Sequence, residues 1–413
     1  MAVIAMLGYG VVGSGVAELI SKNKDKFKNR LNEELEISNI LVRNIEKHVG
    51  SKNKNLLTDN IEDIFRKRVD IVVEAMGGLN PSYEYVKRAL KMKKHVVTAN
   101  KDLIAEYGHE LLNLANQNGV TIHFEASVGG GIPILKSMND CLVGNEIESI
   151  ECILNGTTNF ILSKMNHENM DYQDALKLAQ KLGFAEANPD SDVKGYDAAR
   201  KLSILSTIAY NKRVYWKDMK IEGITCIDQE DFRYAKMEGC SIKLLGISKK
   251  YNDRVYASVR PVMIKENSVL GRIEDEYNAI LVKGDAVGDV MFSGKGAGMF
   301  PTASSVFADI ADIIMHKDEV ISLNDEKAEV NKNWDSEGKW LLRVKTNDRI
   351  KVIESITDNF GNSYIFSNAV SKDENEVAAF VKAESECEID KYMEAVKQSE
   401  FVESIKKLLI LDK

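Results

Sequence analysis

"AVIAMLGYGVVGSGVAELI" (Ala2–Ile20) sets an unbroken apolar run, Ala2 to Leu7, before Gly8, Gly10 and Gly13 in the spacing GxGxxG. The run is short enough for a buried parallel strand. Beyond the glycines, Val12, Val16, Leu19 and Ile20 mark one face of a helix. Glycine spacing alone says little. Placed between a strand and a helix, it describes a cradle for a dinucleotide. The glycines let the backbone approach a pyrophosphate, and the N–H groups around Tyr9, Val11 and Val12 meet its charge.

The pattern continues outward from this stretch. Strand candidates at 37–42, 69–77, 94–100 and 120–126 alternate with helical segments. Asn80 and Pro81 offer an N-cap and a first-turn proline for the helix SYEYVKRALK. Strand, helix, strand in this rhythm predicts a Rossmann-type doubly wound parallel sheet over residues 1–135. The residue after the second strand selects the cofactor: an acid there holds a ribose hydroxyl, an arginine the 2′-phosphate of NADP. Here the strand ends Val42-Arg43-Asn44, so Arg43 favours NADP(H) over NAD(H).

Bulk composition narrows the class. A chain of 413 residues is long for one core, and 44% hydrophobic residues supply ample buried material. A net charge of −8 argues against nucleic acid or an anionic membrane as partner. Five cysteines (Cys141, Cys152, Cys226, Cys240 and Cys387) make no CxxC pair, which suits a reducing compartment. No run approaches the ~20 apolar residues of a membrane helix, and no signal peptide precedes the first strand. A cytoplasmic protein is expected.

The chemistry points to the middle of the chain. Alternation at 147–162 and 254–264 suggests a second, mixed or antiparallel sheet, with helices near 173–182 and 196–210 between them. The loop joining these helices carries Glu186 and Asp192; the second helix carries Asp197 and Lys201, one turn apart on one face. Spacing alone leaves two readings open, a solvated ion pair or a site that holds an amine and moves a proton.

From Ala179 to Lys201 the residues run A-x3-G-F-A-x2-N-P-x2-D-V-x-G-x-D-x3-K. This resembles the signature of the homoserine dehydrogenases. The likeness extends through GYGVVGSG, TANK (98–101), FEASVGGGIPI (124–134), LNGTTNFIL (154–162) and GKGAGMFPTASSVFADI (294–310). It implies NAD(P)H-dependent interconversion of L-aspartate 4-semialdehyde and L-homoserine, in threonine, methionine and isoleucine biosynthesis. By the same resemblance Lys201 is the proton donor, and Glu186, Asp192 and Asp197 surround the amino-acid substrate. Lys101 is a second active-site lysine at the nicotinamide end of the cofactor. Thr98, Gly183 and Gly298 become cofactor contacts. Glu125, Val128, Gly130 and Ile132 correspond to a site for Na+ or K+.

Residues 339–413 give strand, helix, two strands, helix, strand, a βαββαβ order resembling an ACT domain. Where such domains place Pro-Gly before the first helix, this chain has Asn347-Asp348-Arg349-Ile350, which puts an amino-acid effector in question. The expected organisation is an α/β cofactor domain (1–135, completed by a helix around 302–316) and an α+β catalytic and dimerisation domain (136–301). A linker (317–338) and the ACT-like domain (339–413) follow. Every catalytic motif precedes residue 320, so the tail is expected to be dispensable for chemistry. A homodimer or homotetramer is expected. Two rivals remain at this level, a cofactor-binding redox sensor without turnover and another amino-acid dehydrogenase on the same scaffold.

Overall fold

The computed structural model describes residues 1–252, 254–316, 324, 326–361, 363–366 and 373–411. One compact unit comprises Met1–Ile150, Arg200–Trp216 and Asn278–Ala328; a second comprises Glu151–Ala199, Lys217–Tyr277 and Glu329–Lys413. This division differs from the one expected from sequence, chiefly because the tail belongs to the second unit.

The first unit opens with strand β1 (Ala2–Leu7), helices α1 (Val11–Lys22) and α2 (Lys24–Leu31), and strand β2 (Leu35–Leu41). There follow β3 (Leu57–Thr58), α3 (Ile61–Arg66), β4 (Ile71–Glu74), α4 (Ser82–Lys91), β5 (His95–Thr98), α5 (Lys101–Asn118) and β6 (Ile122–His123). All six strands are parallel, in the order β3-β2-β1-β4-β5-β6. Every residue of β1 is buried, as a strand covered on both faces requires. The chain reverses its direction of winding between β1 and β4, and in such sheets ligands bind outside the carboxyl ends of the strands at that point. Sequence periodicity missed β3 because two residues carry no pattern. At α4 the N-cap position is Pro81, not Asn80, so the proline sits one step earlier than its usual first-turn place.

Strand β7 (Ile147–Ile153) gives way to helix α6 (Gly156–Glu168), where alternation had suggested strand as far as 162. Asn155 causes the switch. Its backbone is extended, and its side-chain oxygen accepts the N–H of Thr158 at 2.9 Å, an N-cap that outweighs the β-branched residues following it. Then come α7 (Tyr172–Leu182), α8 (Asp190–Val193), α9 (Tyr196–Tyr210), β8 (Lys220–Ile221) and α10 (Gln229–Met237). The long antiparallel hairpin of β9 (Cys240–Tyr251) and β10 (Arg254–Lys265) is the spine of the second unit. Strands β11 (Tyr277–Gly284) and β12 (Gly288–Lys295) lead to α11 (Met299–Met315) in the first unit. There α11 packs on α1 so closely that a Cβ at Gly15 would lie 2.9 Å from the Met299 side chain.

The tail folds as β13 (Glu329–Asn331), β14 (Gly338–Thr346), α12 (Arg349–Phe360), β15 (Tyr364–Ile365), β16 (Glu376–Ala383), α13 (Glu386–Lys397) and β17 (Val402–Leu411). From β14 onward this is the βαββαβ order read from sequence. Residues 317–323 and 325 of the expected linker, and 367–371 of the expected strand after α12, lie outside the described residues. Strands β7, β9, β10, β17, β14, β16 and β15 lie side by side in that order. While β9 covers one edge of β10, the other edge takes three short parallel partners: β13 at 254–256, β8 at 258–259 and β17 at 262–264.

Buried charges lock this join. Arg260 of β10, 1% exposed, donates to both oxygens of Glu386, the first residue of α13, at 2.8 and 2.6 Å. Lys220 and Lys407 add their ammonium groups, and the N–H of Trp334 donates to the same carboxylate. Burial alone would raise the Glu386 carboxyl; Arg260 and the two lysines instead hold it far below the usual range. A second knot joins Arg343 of β14 to Asp231 (2.6 Å), Glu376 (2.6 Å) and Asp228 (2.7 Å). A chain cut near residue 320 would strip Arg260 of Glu386 and Asp231 of Arg343. The expectation of a dispensable tail therefore gives way to one of a tail built into the second unit. Among the described residues no helix is long and apolar enough to cross a membrane.

Candidate active site

In the first unit, Gly10 is the N-cap of α1 and supplies no side chain to it, so the N–H groups of Val11, Val12 and Gly13 have no partner within the helix. Gly8 has φ 104°, and a Cβ there would stand 2.7 Å from the carbonyl oxygen of Ala75; one at Gly13 would strike the Gly8 carbonyl. The turn is thus shaped for backbone alone, which fits a phosphate cradle. Tyr9 fastens it: its hydroxyl is 2.9 Å from Ser51 Oγ and accepts from Asn53 Nδ2 at 3.1 Å. Arg43 stands exposed just beyond the end of β2.

At the ends of β4 and β5 lies a group the sequence reading passed over. Glu74, fully buried, accepts from the N–H groups of Met76 (2.8 Å) and Gly77 (3.2 Å) and from the hydroxyls of Ser82 (3.2 Å) and Thr98 (2.5 Å). The Thr98 side chain is therefore turned into the protein, and the whole residue is buried. Its Oγ1 also accepts from the N–H of Asn100 at 3.0 Å. Asn100 in turn donates to the Gly78 carbonyl and caps α5 through Leu103 N, and the first residue of that helix is the half-buried Lys101. The neighbouring Asp102 pairs with Arg200 at 3.3 Å, and Glu106 accepts from Tyr215 (2.8 Å) and Trp216 (3.3 Å). These bonds fix the segment that carries Lys201, also half-buried, against the helix that carries Lys101. Gly298, with φ 121°, is the N-cap of α11 in the same unit.

The four residues assigned to a cation are buried together. Glu125 accepts from the N–H groups of Leu135 (2.9 Å) and Lys136 (2.7 Å), and the Gly130 carbonyl accepts the Ser305 hydroxyl at 2.7 Å. Ile132 N–H closes the turn onto Gly129, and Val128 is fully buried. Burial raises the Glu125 carboxyl and raises that of Asp309, which accepts from Glu125 N–H, well above the usual range. These bonds hold the loop in place through the protein's own groups.

In the second unit the structure brings two of the three expected substrate carboxylates together. Asn155 Nδ2 donates to Asp192 Oδ1 at 2.7 Å and to Asp197 Oδ2 at 2.8 Å. Because Asn155 Oδ1 caps α6, the amide can turn only one way, with both N–H bonds toward the acids. Asp197 is buried, Asp192 partly so. Glu186 is exposed, on the loop after α7, where its carbonyl accepts from Gln180. That loop is tied down by Thr157 Oγ1 donating to the Phe184 carbonyl at 2.6 Å and starts at Gly183, φ 81°, the left-handed end of α7. Sequence reasoning had quoted Asn155 within LNGTTNFIL without giving it a task; an asparagine between a strand and two threonines was the signal.

The chain resembles known proteins along most of its length. The family model for the NAD binding domain of homoserine dehydrogenase matches residues 8–125, and that for homoserine dehydrogenase matches 133–311. Homoserine dehydrogenase of Bacillus subtilis is 44% identical over 313 residues, covering 75% of this chain and 72% of the relative. That of Corynebacterium glutamicum is 35% identical and covers 99% of this chain and 95% of its own. The crystal structure of a homoserine dehydrogenase from Thiobacillus denitrificans superposes with a TM-score of 0.91 at 33% identity, covering 100% of this chain and 98% of that one. A hyperthermophilic archaeal homoserine dehydrogenase in complex with NADPH gives 0.67 at 27% identity, covering 78% and 99%. The chain belongs to the homoserine dehydrogenase family.

Proposed function

We propose that this enzyme interconverts L-aspartate 4-semialdehyde and L-homoserine with NADP(H) in preference to NAD(H), Lys201 moving the proton. A nicotinamide cofactor, when bound, supplies or receives the hydride. The protein's own part is to hold the amino acid and to manage charge on the oxygen at C4. As hydride reaches that carbon the oxygen becomes an alkoxide, which an ammonium can both stabilise and protonate. Lys201 takes that role, with Lys101 as the second cation beside the nicotinamide end. Asp197, Asp192 and Glu186 receive the substrate ammonium. The observation that supports this most is the grip of Asn155 on Asp192 and Asp197, the latter one helical turn before Lys201. Gly8, Gly10, Gly13, Gly183 and Gly298 let backbone lie close to the cofactor, and Arg43 meets the 2′-phosphate. No step is routed through a monovalent cation.

The tail is read as an ACT-like module. Its turn before α12 is occupied by Asp348, which caps that helix through Lys351 N at 3.2 Å, so assembly rather than effector binding is its proposed task. Assembly as a homodimer or homotetramer is supported by the edge strand β12, whose Val290, Met291 and Phe292 remain partly in water. The rival reading of a sensor without turnover is not favoured, since the relatives are named as dehydrogenases.

Purified protein given L-homoserine and NADP+ or NAD+ should generate reduced nicotinamide. Lys201→Ala should lower kcat by roughly 10²–10⁴ while NADPH binding, followed by fluorescence, stays unchanged. Near-normal turnover in a well-folded Lys201→Ala protein would overturn the assignment and turn attention to Lys101.

A further inference from the structure

We infer that Glu74 is a positioning residue of the hydride-transfer centre, a buried carboxylate that sets the rim on which the nicotinamide end rests and favours its oxidised form. The inference rests on the function proposed above. Glu74 ends β4, paired across the sheet with Leu7 at the end of β1 and Thr98 at the end of β5. That is the winding reversal of the sheet, outside whose strand ends ligands of this fold bind.

Its surroundings are unusual for a buried acid. Met76 N–H, Gly77 N–H and Ser82 hydroxyl converge on Oε1, and the Thr98 hydroxyl takes Oε2. Thr98 Oγ1 also accepts from Asn100 N–H, which leaves its own hydrogen free for Glu74. Three donors gathered on Oε1, two of them backbone N–H groups that can only donate, make a setting that suits a carboxylate. The donors are neutral, and among the described residues no lysine, arginine or histidine pairs with Glu74. The charge is thus solvated by dipoles but not cancelled, in a place shielded from water where Coulomb interactions reach farther. A nicotinamide ring is cationic when oxidised and neutral when reduced, so a nearby uncancelled negative charge binds the two forms unequally. The same carboxylate orders the relay from Thr98 through Asn100 to the start of α5, and so the placement of Lys101.

Glu74→Gln separates charge from shape. The amide oxygen can keep the three donors at Oε1, and the amide nitrogen can donate to Thr98 Oγ1. Dissociation constants of NADP+ and NADPH are then measured without substrate, by fluorescence or calorimetry, so the result does not depend on turnover of homoserine. The ratio Kd(NADP+)/Kd(NADPH) should rise on the order of tenfold in Glu74→Gln. Thr98→Val keeps the charge and removes the relay; it should leave the ratio near that of the parent while lowering kcat. Equal weakening of both cofactor forms by Glu74→Gln, or no change in either, overturns the proposal. So does a Glu74→Gln chain that fails to fold, since the shape has been kept. Absence of homoserine turnover in the parent protein would instead count against the proposed reaction, with the cofactor ratio still readable.

Discussion

Glu74 and Glu386 are both fully buried carboxylates, and they keep opposite company. Glu386 is surrounded by Arg260, Lys220 and Lys407; Glu74 is held by backbone amides and hydroxyls. A charge cancelled by its own protein has no field left for a ligand, and its worth lies in fastening one element to another. A charge held by dipoles still acts on whatever binds beside it. The comparison sorts this molecule's buried acids into those that join strands and those that serve chemistry, and each class fails differently when disturbed.

Arg260→Met should give the largest effect, because it leaves Glu386 buried and short of its bidentate partner. Removing one member of a buried pair costs about 3–5 kcal/mol. The denaturant midpoint should fall accordingly, while kcat/KM per folded molecule stays near that of the parent. A loss below ~1 kcal/mol would show that Arg260 does not fasten the tail to β10. Asn155→Ala should act the other way round. With the amide gone, Asp192 and Asp197 lose a shared donor, and KM for homoserine should rise about tenfold, the scale of one hydrogen bond to a charged group. Because Asn155 also caps α6, about 1 kcal/mol of stability goes with it. Asn155→Ser restores a cap but not the clamp, so stability should return without the affinity; recovery of both would reduce Asn155 to a cap.

Arg43 is exposed and has no ion pair among the described residues, so Arg43→Ala should cost no measurable stability. It should raise KM for NADP+ severalfold more than KM for NAD+, since the 2′-phosphate alone distinguishes them. Equal losses would remove Arg43 as selector. The smallest effect concerns pH. Burial would raise Asp228, but Arg343 and Lys406 outweigh it and hold its carboxyl at about 2. A carboxyl lowered on folding stabilises the protein above its ordinary range near pH 4 and ceases to do so as pH falls through about 2. Half of the Asp228 side chain is in water, so the loss should be modest. Arg343→Lys should make the acid midpoint of unfolding shift upward; an unchanged midpoint would show that Asp228 is a spectator.

Much of this could be read along the chain. The apolar run and glycines at the start, helix 82–91 and helix 196–210 all follow from local periodicity and appear where periodicity puts them. Asp197 and Lys201 share a helix face for the same reason. What escaped was non-local or too short to have a period. Strand β3 has two residues, and Asn155 overrides the alternation around it by capping. Arg260 and Glu386 are 126 residues apart and look in sequence like any two surface charges. Glu74 was nearer to legible, since an acid closing the apolar run VDIVV is conspicuous, but its four donors come from three separate segments. The alternation of the tail revealed its own strands without revealing that β17 would lie beside β10.

That last pairing bears on how the protein is made. Glu386 follows Arg260 by 126 residues, so at ribosomal rates of about 5–20 residues per second the arginine, with only Glu222 made before it, waits roughly 6–25 s for its bidentate partner. Strand β17 emerges later still, and until then the outer edge of β10 is an unfinished template open to another nascent chain. Through the interval Arg260 stands on that edge as a charge, and charged residues on open edges discourage pairing with strangers. The residue that closes the sheet in the finished enzyme keeps it from closing on the wrong neighbour during synthesis.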